Sequence, residues 1–307
     1  MLNDIQKKIL AIVADMRGTG DGAVNIRSDG QKAYRHNTEH ITIVSKTDRD
    51  GIDIHIAPGT HAESVHIPVV LTKPGFQDLV YNDFFVGEGA DVTIVAGCGI
   101  HNGGDCDSRH EGIHTFHVGK NARVKYIEKH YGEGDGTGRR ILNPQTILYL
   151  EEGASVTLET SQIRGVDDTK RYTKAECNGA RSEIVIRESL LTHGAQHAVS
   201  EMDVLLNGEN TRARVISRSV AQDASTQVFY PRVQGNAPCF GHVQCDSILM
   251  GSARVRSIPE IACNHIDASL IHEAAIGRIA GDQILKLLTL GLTPEQAEEK
   301  ILEGFLR

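Results

Sequence analysis

Three stretches of this chain carry the same short pattern at the same interval. Val86–Val95 (VGEGADVTIV), Val118–Ile127 (VGKNARVKYI) and Leu150–Glu159 (LEEGASVTLE) each place Gly or Asn before Ala and follow it with an alternating run. The alanines are Ala90, Ala122 and Ala154, so both steps are 32 residues. Gly and Asn tolerate positive φ at a sharp corner, and a small residue just after it fits a crowded inner turn. Val92/Ile94, Val124/Tyr126 and Val156/Leu158 then share one face of their strands. A corner recurring at a fixed period, with a strand at each copy, predicts a solenoid: no coil buries its own apolar face, but stacked coils share one core. Fainter copies are expected at Asn178-Gly179-Ala180, at Gly208–Thr211 and at Gly251-Ser252-Ala253. An antiparallel sandwich is the alternative, but it has no need of a constant interval.

Composition agrees. The chain has 307 residues, 31 glycines, 5% aromatics and no Trp, which suits narrow interior layers better than a nucleotide-binding α/β domain. The expected class is all-β with a small α part, a right-handed parallel β-helix followed by a C-terminal helical subdomain. Residues 1–29 read as an N-terminal helix and linker, 30–260 as the β-helix core and 261–307 as the helical subdomain. In the first segment Leu2, Ile5, Ile9, Ile12 and Met16 fall near helical spacing, and Arg17-Gly18-Thr19-Gly20 stops them. Ile41/Ile43, Ile52/Ile54/Ile56 and Val65/Ile67/Val69 alternate as strands do, with Pro58-Gly59 as a turn. Near the C-terminus, Gly291 stands where a helix C-cap would, and Thr293-Pro294-Glu295-Gln296 is a capping box with Pro at the first helical position. Two helices of about 25 residues together cannot fold alone and must dock on the solenoid or on another protein.

Several function classes are set aside. A net charge of −8 argues against nucleic-acid binding, which needs surplus Lys and Arg to release counterions. No apolar run approaches the roughly 18 residues of a membrane span, and Met1–Met16 is too charged for a secretory signal, so a cytoplasmic protein is expected. P-loop, strand-helix G-x-G-x-x-G and G-x-S-x-G motifs are absent, so the chain is not expected to be an enzyme that hydrolyses nucleotide. Six cysteines in such a chain are free thiols, ligands or nucleophiles rather than a disulfide framework.

The candidates for chemistry follow from those thiols. Cys245 lies in His242–Ser247, a strand that sets Val243, Cys245 and Ser247 on one face; a deprotonated thiol there is a soft ligand for iron or zinc, whereas an arbitrary buried Cys is a small hydrophobe. His272-Glu273, among small residues, can ligate a metal or move protons, or be a solvated pair at a helix start. Cys98, His101, Cys106, His110, His114 and His117 form the densest set of possible ligands, able to hold a metal or receive a thiol-bound sulfur. Their spacing matches no zinc module, and a structural role is preferred. Arg139-Arg140 and the mix Lys125, Glu128, Lys129, His130 read as an exposed solenoid face.

Gln244-Cys245-Asp246-Ser247 with Ile248–Gly251, then His272-Glu273-Ala274 and Ile279–Ile284, resemble in order and spacing the SufB/SufD family, scaffold proteins of the SUF iron–sulfur assembly system. The resemblance covers roughly Gly75–Arg307; the segment before it is shorter than in the family and reads as one helix. The resemblance implies a right-handed parallel β-helix with a C-terminal helical subdomain gripped by the SUF ABC-type ATPase (SufC-like). It implies a non-enzymatic scaffold carrying a transient iron–sulfur cluster for apo acceptor proteins, with ATP hydrolysis in the partner. It also implies that Cys245, His272 and Glu273 hold metal at a boundary between two scaffold subunits; because this chain carries both the Cys-Asp-Ser motif and the His-Glu pair, it is expected to work as a homodimer. The residues alone leave two other readings open: a β-helix carbohydrate-active enzyme using carboxylates along a groove, for which stacking aromatics are few, and a zinc-stabilised structural protein.

Overall fold

The computed structural model describes residues 2–14 and 22–306. Its path alternates between two eleven-stranded sheets that face one another. Strand Asp91–His101 in one sheet leads to Ser108–Val118 in the other, then back to Arg123–Glu133, and so on to Cys239–Leu249, Glu260–Cys263 and Ala268–Gly277. Every strand from Gly51–Ile56 onward pairs in parallel with its counterpart one coil away, as in Asp91↔Arg123↔Ser155↔Glu183↔Arg212. The molecule is the parallel β-solenoid expected from the repeat.

The corners are built as the sequence implies. Gly89, Asn121, Gly153 and Asn210 all have positive φ, between 56° and 68°. Each donates its backbone N–H to the corner one coil on: Gly89 to Lys120, Asn121 to Glu152, Gly153 to Ala180 and Asn210 to Pro238. The next residue, Ala90, Ala122, Ala154 or Thr211, is fully buried. Val92, Ile94, Val124, Tyr126, Val156 and Leu158 all join the main core.

Two of the fainter copies sit elsewhere than expected. The row of small residues continues through Ser182, Thr211, Cys239 and Ala268, so the corner near Asn178-Gly179-Ala180 places Ser182, not Ala180, in line, with Arg181 in the left-handed conformation before it. Gly251-Ser252-Ala253 belongs to the opposite corner, in line with Gly194 and Asp223, which also have positive φ. The step falls from 32 to 28–29 because the connection opposite shrinks, from residues 102–107 and 134–139 to 165–167. A side-chain ladder marks the shortened coils: Asn207 donates to Asn178, Asn236 to Asn207 and Asn264 to Asn236, each at 2.7 Å.

Helix α1 (Asp4–Val13) is capped by Asn3, whose side chain accepts from Gln6 N–H while Gln6 answers Asn3 N–H. Ile9 and Val13 are fully buried, Leu2 and Ile12 pack beside them, and Ile5 is exposed. The expected stop at Arg17–Gly20, and Met16, lie outside the described residues. The helix lies flat on strand Asp91–His101 because that strand offers bare backbone: a Cβ on Gly97 would stand 2.3 Å from the Val13 carbonyl oxygen, and one on Gly99 2.1 Å from Ile9 Cγ2.

The boundaries at 29/30 and 260/261 need correction. Ala23–Ser28 is already a strand, paired with Gln31–His36, and the solenoid does not end at residue 260. Glu260–Cys263 and Ala268–Gly277 complete a further coil, because each finds a strand edge to pair with whatever its own helix propensity. Helices begin only at α2 (Gly281–Thr289) and α3 (Pro294–Leu306). Gly291 takes φ 91° after α2, and Thr293 and Gln296 exchange the expected capping-box bonds. Helix α3 returns to the solenoid: Ser189 donates to the Leu306 carbonyl at 2.8 Å and Arg218 to that of Phe305 at 3.3 Å. No described helix is long and apolar enough to cross a membrane.

Gly99→Val is expected to destabilise the protein by about 1–3 kcal/mol, the usual range for overfilling a packed contact, and to expose α1 to protease before the strands. Thermal melts with limited proteolysis check this; an unchanged melt and a protected α1 would contradict the packing argument.

Candidate functional site

The in-register stacking of the last two coils decides which candidates meet. Cys245 is on Cys239–Leu249, in line with Ala274 of the edge strand Ala268–Gly277, while Val243 is in line with His272. Val243, Cys245 and Ser247 all face inward and are buried. His272 shares that face, and its Nε2 lies 3.5 Å from Cys245 Sγ. Glu273, next along the strand, points the other way: its Oε1 is 3.1 Å from His242 Nε2, and its side chain is 58% exposed. The chain therefore joins Cys245 to His272 and places Glu273 on the outer face with His242. His272-Glu273 lies in a strand, not at a helix start.

Burial pushes the Cys245 thiol up to about 12, with the Ser257 hydroxyl opposing it. Burial likewise lowers the His272 imidazole below its ordinary value, against the pull of Glu273. Both groups are thus neutral at pH 7. A neutral imidazole is ready to ligate, and the thiol gives up its proton when a metal takes its place. Cys245 is 3% exposed, but the strand beside it is the last in its sheet. Ile271 and Ile276 on that edge strand are 47% and 44% exposed. Among the described residues no three His, Cys, Asp or Glu side chains converge to hold a metal ion.

The Cys98–His117 set disperses. Cys98, His110 and His114 point inward and are buried; Cys106 is exposed on its loop; His101 lies 3.6 Å from Glu133; His117 is on the outer face, stacked between Phe85 and Tyr149. The inward members belong to a file of buried charge that the sequence reading missed in part. Glu128 and His130, read as solvated, are each 1% exposed. The contacts run from Arg27 to Asp78 (2.8 Å), Asp78 to His110 (3.0 Å), His130 to Glu128 (3.0 Å), Glu128 to Arg171 (3.0 Å) and Arg171 to Glu188 (3.5 Å). Glu188 accepts from Ser200 and Ser217, and Ser217 is the in-register neighbour of Cys245. Lys125 on the alternate face, Arg139 on a loop and Arg140 at the start of the short strand Arg140–Leu142 do make ion pairs, with Glu159, Asp107 and Asp167.

This file ionises its members. Burial opposes the Cys98 thiolate, yet His110 and His130 bring the thiol down to about 7. Burial also opposes the charged His110 imidazole, and Cys98 with Asp78 raise it to about 10. Burial opposes the Asp78 carboxylate in turn, and His110 and Arg27 hold it at about 2. Cys98 thus has more thiolate character at neutral pH than Cys106, Cys177, Cys239 or Cys245, whose thiols are all pushed up.

Breaking a buried charge pair costs about 3–5 kcal/mol because the other charge is left uncompensated, so Asp78→Asn is expected to lower the melting temperature clearly at pH 7. The Asp78 pKa is depressed, so its contribution is present above the unfolded-state carboxylate value and is lost as pH falls toward 2. Melts at pH 6 and pH 2.5 check the sign: the gap between native and variant protein should narrow at the lower pH, and a constant gap would contradict the charge argument.

Residues 81–305 match the family model described as SUF system FeS cluster assembly, SufBD core domain. An iron–sulfur cluster assembly SufBD family protein of Methanocaldococcus jannaschii is 27% identical over 249 residues, covering 79% of this chain and 76% of that one. One of Archaeoglobus fulgidus is 29% identical over 283 residues, covering 90% and 73%. A chloroplastic member from Arabidopsis thaliana is 27% identical over 228 residues, covering 72% and 41%.

Proposed function

Since this chain belongs to the SufBD family of the SUF iron–sulfur assembly system, we propose that it is a non-enzymatic cytoplasmic scaffold on which iron–sulfur clusters are built and handed to apo acceptor proteins. The observation that carries the reading is the 3.5 Å approach of Cys245 Sγ to His272 Nε2 on the last full coil. A thiolate and an imidazole are a donor set that iron accepts, and a nitrogen ligand is easier to give up than a second thiolate when the cargo leaves.

One chain offers two such donors, and a growing cluster needs more. The free edge of Ala268–Gly277, with Ile271 and Ile276 exposed, is the kind of surface that recruits another strand. A second copy paired there in a homodimer brings another Cys245 and His272 to the same boundary. In this reading Glu273, on the outer face with His242, joins the metal only after its carboxylate swings off that histidine. Anaerobic protein given iron and sulfide is expected to turn brown. Cys245→Ala should lose most of the sulfur-to-iron charge-transfer absorption, and His272→Ala should lose stability of the bound cargo more than its initial formation. A Cys245→Ala variant that still forms a full, stable cluster would sink the assignment.

The helices α2 and α3 are the proposed grip for an ABC-type ATPase subunit, which supplies the ATP hydrolysis this chain has no motif for. Leu285 and Leu290 on and after α2 are 59% and 70% exposed, a large apolar investment for a surface in water. α3 is tied through Ser189 and Arg218 to the solenoid wall, so a pull on the helices reaches the coils. Replacing both Leu285 and Leu290 with Glu should abolish co-purification with the ATPase and leave iron and sulfide loading intact. Undiminished co-purification would move the ATPase contact elsewhere.

A further inference from the structure

The solenoid stops abruptly at its C-terminal end, and two cysteines stand there with no part in the proposed cluster site. Cys263 ends strand Glu260–Cys263 and is in register with Gly235 one coil below, as Ile261 is with Val233. Val233 is a buried core residue, so this row faces inward. Ile261 and Cys263 are exposed, and among the described residues no further coil covers them. Cys239 begins strand Cys239–Leu249 on the same interior side and is 8% exposed. Its sulfur occupies the space that Gly235 leaves by lacking a side chain: a Cβ built there would lie 2.9 Å from Cys239 Sγ. Cys263 carries the Cβ that Gly235 lacks, pointing the same way, one strand spacing of about 4.8 Å further on. Cys263 is close enough to Cys239 to oppose ionisation of the Cys239 thiol, in the same direction as burial.

We infer that Cys263 and Cys239 form a dithiol–disulfide site that reacts with the sulfur–sulfur bond of a small disulfide. Cys263, the exposed thiol, is the entry. As thiolate it attacks one sulfur of RS–SR, the S–S bond breaks, and RS⁻ leaves and takes up a proton. Burial pushes the Cys239 thiol up, so it acts second. Its thiolate attacks the Cys263 sulfur of the mixed disulfide and releases the second RS⁻. Two protein thiols have then given up two electrons and two protons, and the small disulfide has become two thiols. The new bond staples the outermost short strand to the start of the strand that bears Cys245, three inward positions along. The inference is independent of the scaffold reading, and its test uses no iron.

Reduced, metal-free, full-length protein is treated with oxidised glutathione, then alkylated, digested without reductant and mapped by mass spectrometry. The expected product is a Cys239–Cys263 linked peptide, lighter than the reduced pair by two hydrogens, in a chain that stays monomeric on a non-reducing denaturing gel. Cys239→Ser should trap a lasting glutathione adduct on Cys263. Cys263→Ser, at an exposed position that does not threaten folding, should leave Cys239 unoxidised. A native chain in which Cys263 remains a glutathione adduct, or links to Cys245 or to a second copy, would overturn the inference, as would Cys239 reacting equally well in Cys263→Ser.

Discussion

Everything in this molecule hangs on the in-register hydrogen bonding of each strand to the strand one coil away. The ladder fixes which side chains stack, coil upon coil, and it forces the corners to recur at a near-constant interval. A left-handed residue followed by a small one, as in Asn121-Ala122, is the local device that lets the chain turn tightly enough to keep that register. The same ladder puts His272 in line with Val243, one inward step from Cys245. Its alternation throws Glu273 to the opposite face. The candidate site is therefore a by-product of stacking, and it falls where stacking ends.

The interior is not uniformly apolar. One region, around Phe84, Phe116 and Tyr126, packs as rings, with Phe84 and Phe116 stacked at 4.2 Å. Beside it runs the chain of buried charge from Arg27 to Glu188. Such a chain survives only because each charge meets an opposite one within hydrogen-bonding range, since removing a partner strands the other at several kcal/mol. That pairing, more than net hydrophobicity, explains how Cys98 keeps a thiol near neutrality while fully enclosed.

Much of the architecture was legible because the signals were local. Gly89-Ala90, Asn121-Ala122 and Gly153-Ala154 state the corner outright, and Thr293–Gln296 states the helix start. The rest failed for identifiable reasons. Shorter connections changed the period, so Ser182 and Cys239 no longer looked like members of the alanine row, and Gly251-Ser252-Ala253 passed for a copy of the wrong corner. The asparagine ladder was hidden in the same shift. Ala268–Gly277 is rich in small residues, and its strand state comes from the edge it pairs with, which no local propensity records. Glu128 and His130 are the instructive case: charge suggests a solvated face, yet period-two alternation from Val124 and Tyr126 puts them inside. The motif around Cys245 was readable as a resemblance, whereas the outward turn of Glu273 needed the register.

On the proposed function, cargo is held where Cys245 and His272 meet at the open end of the coil stack. An anaerobic crystal structure of protein loaded with iron and sulfide tests this most directly. Metal density is expected bonded to Cys245 sulfur, with His272 nitrogen in its coordination sphere and a second chain's terminal coil facing it. Metal lodged instead between Cys98, His110 and His130, or bonded to neither Cys245 nor His272, would contradict it.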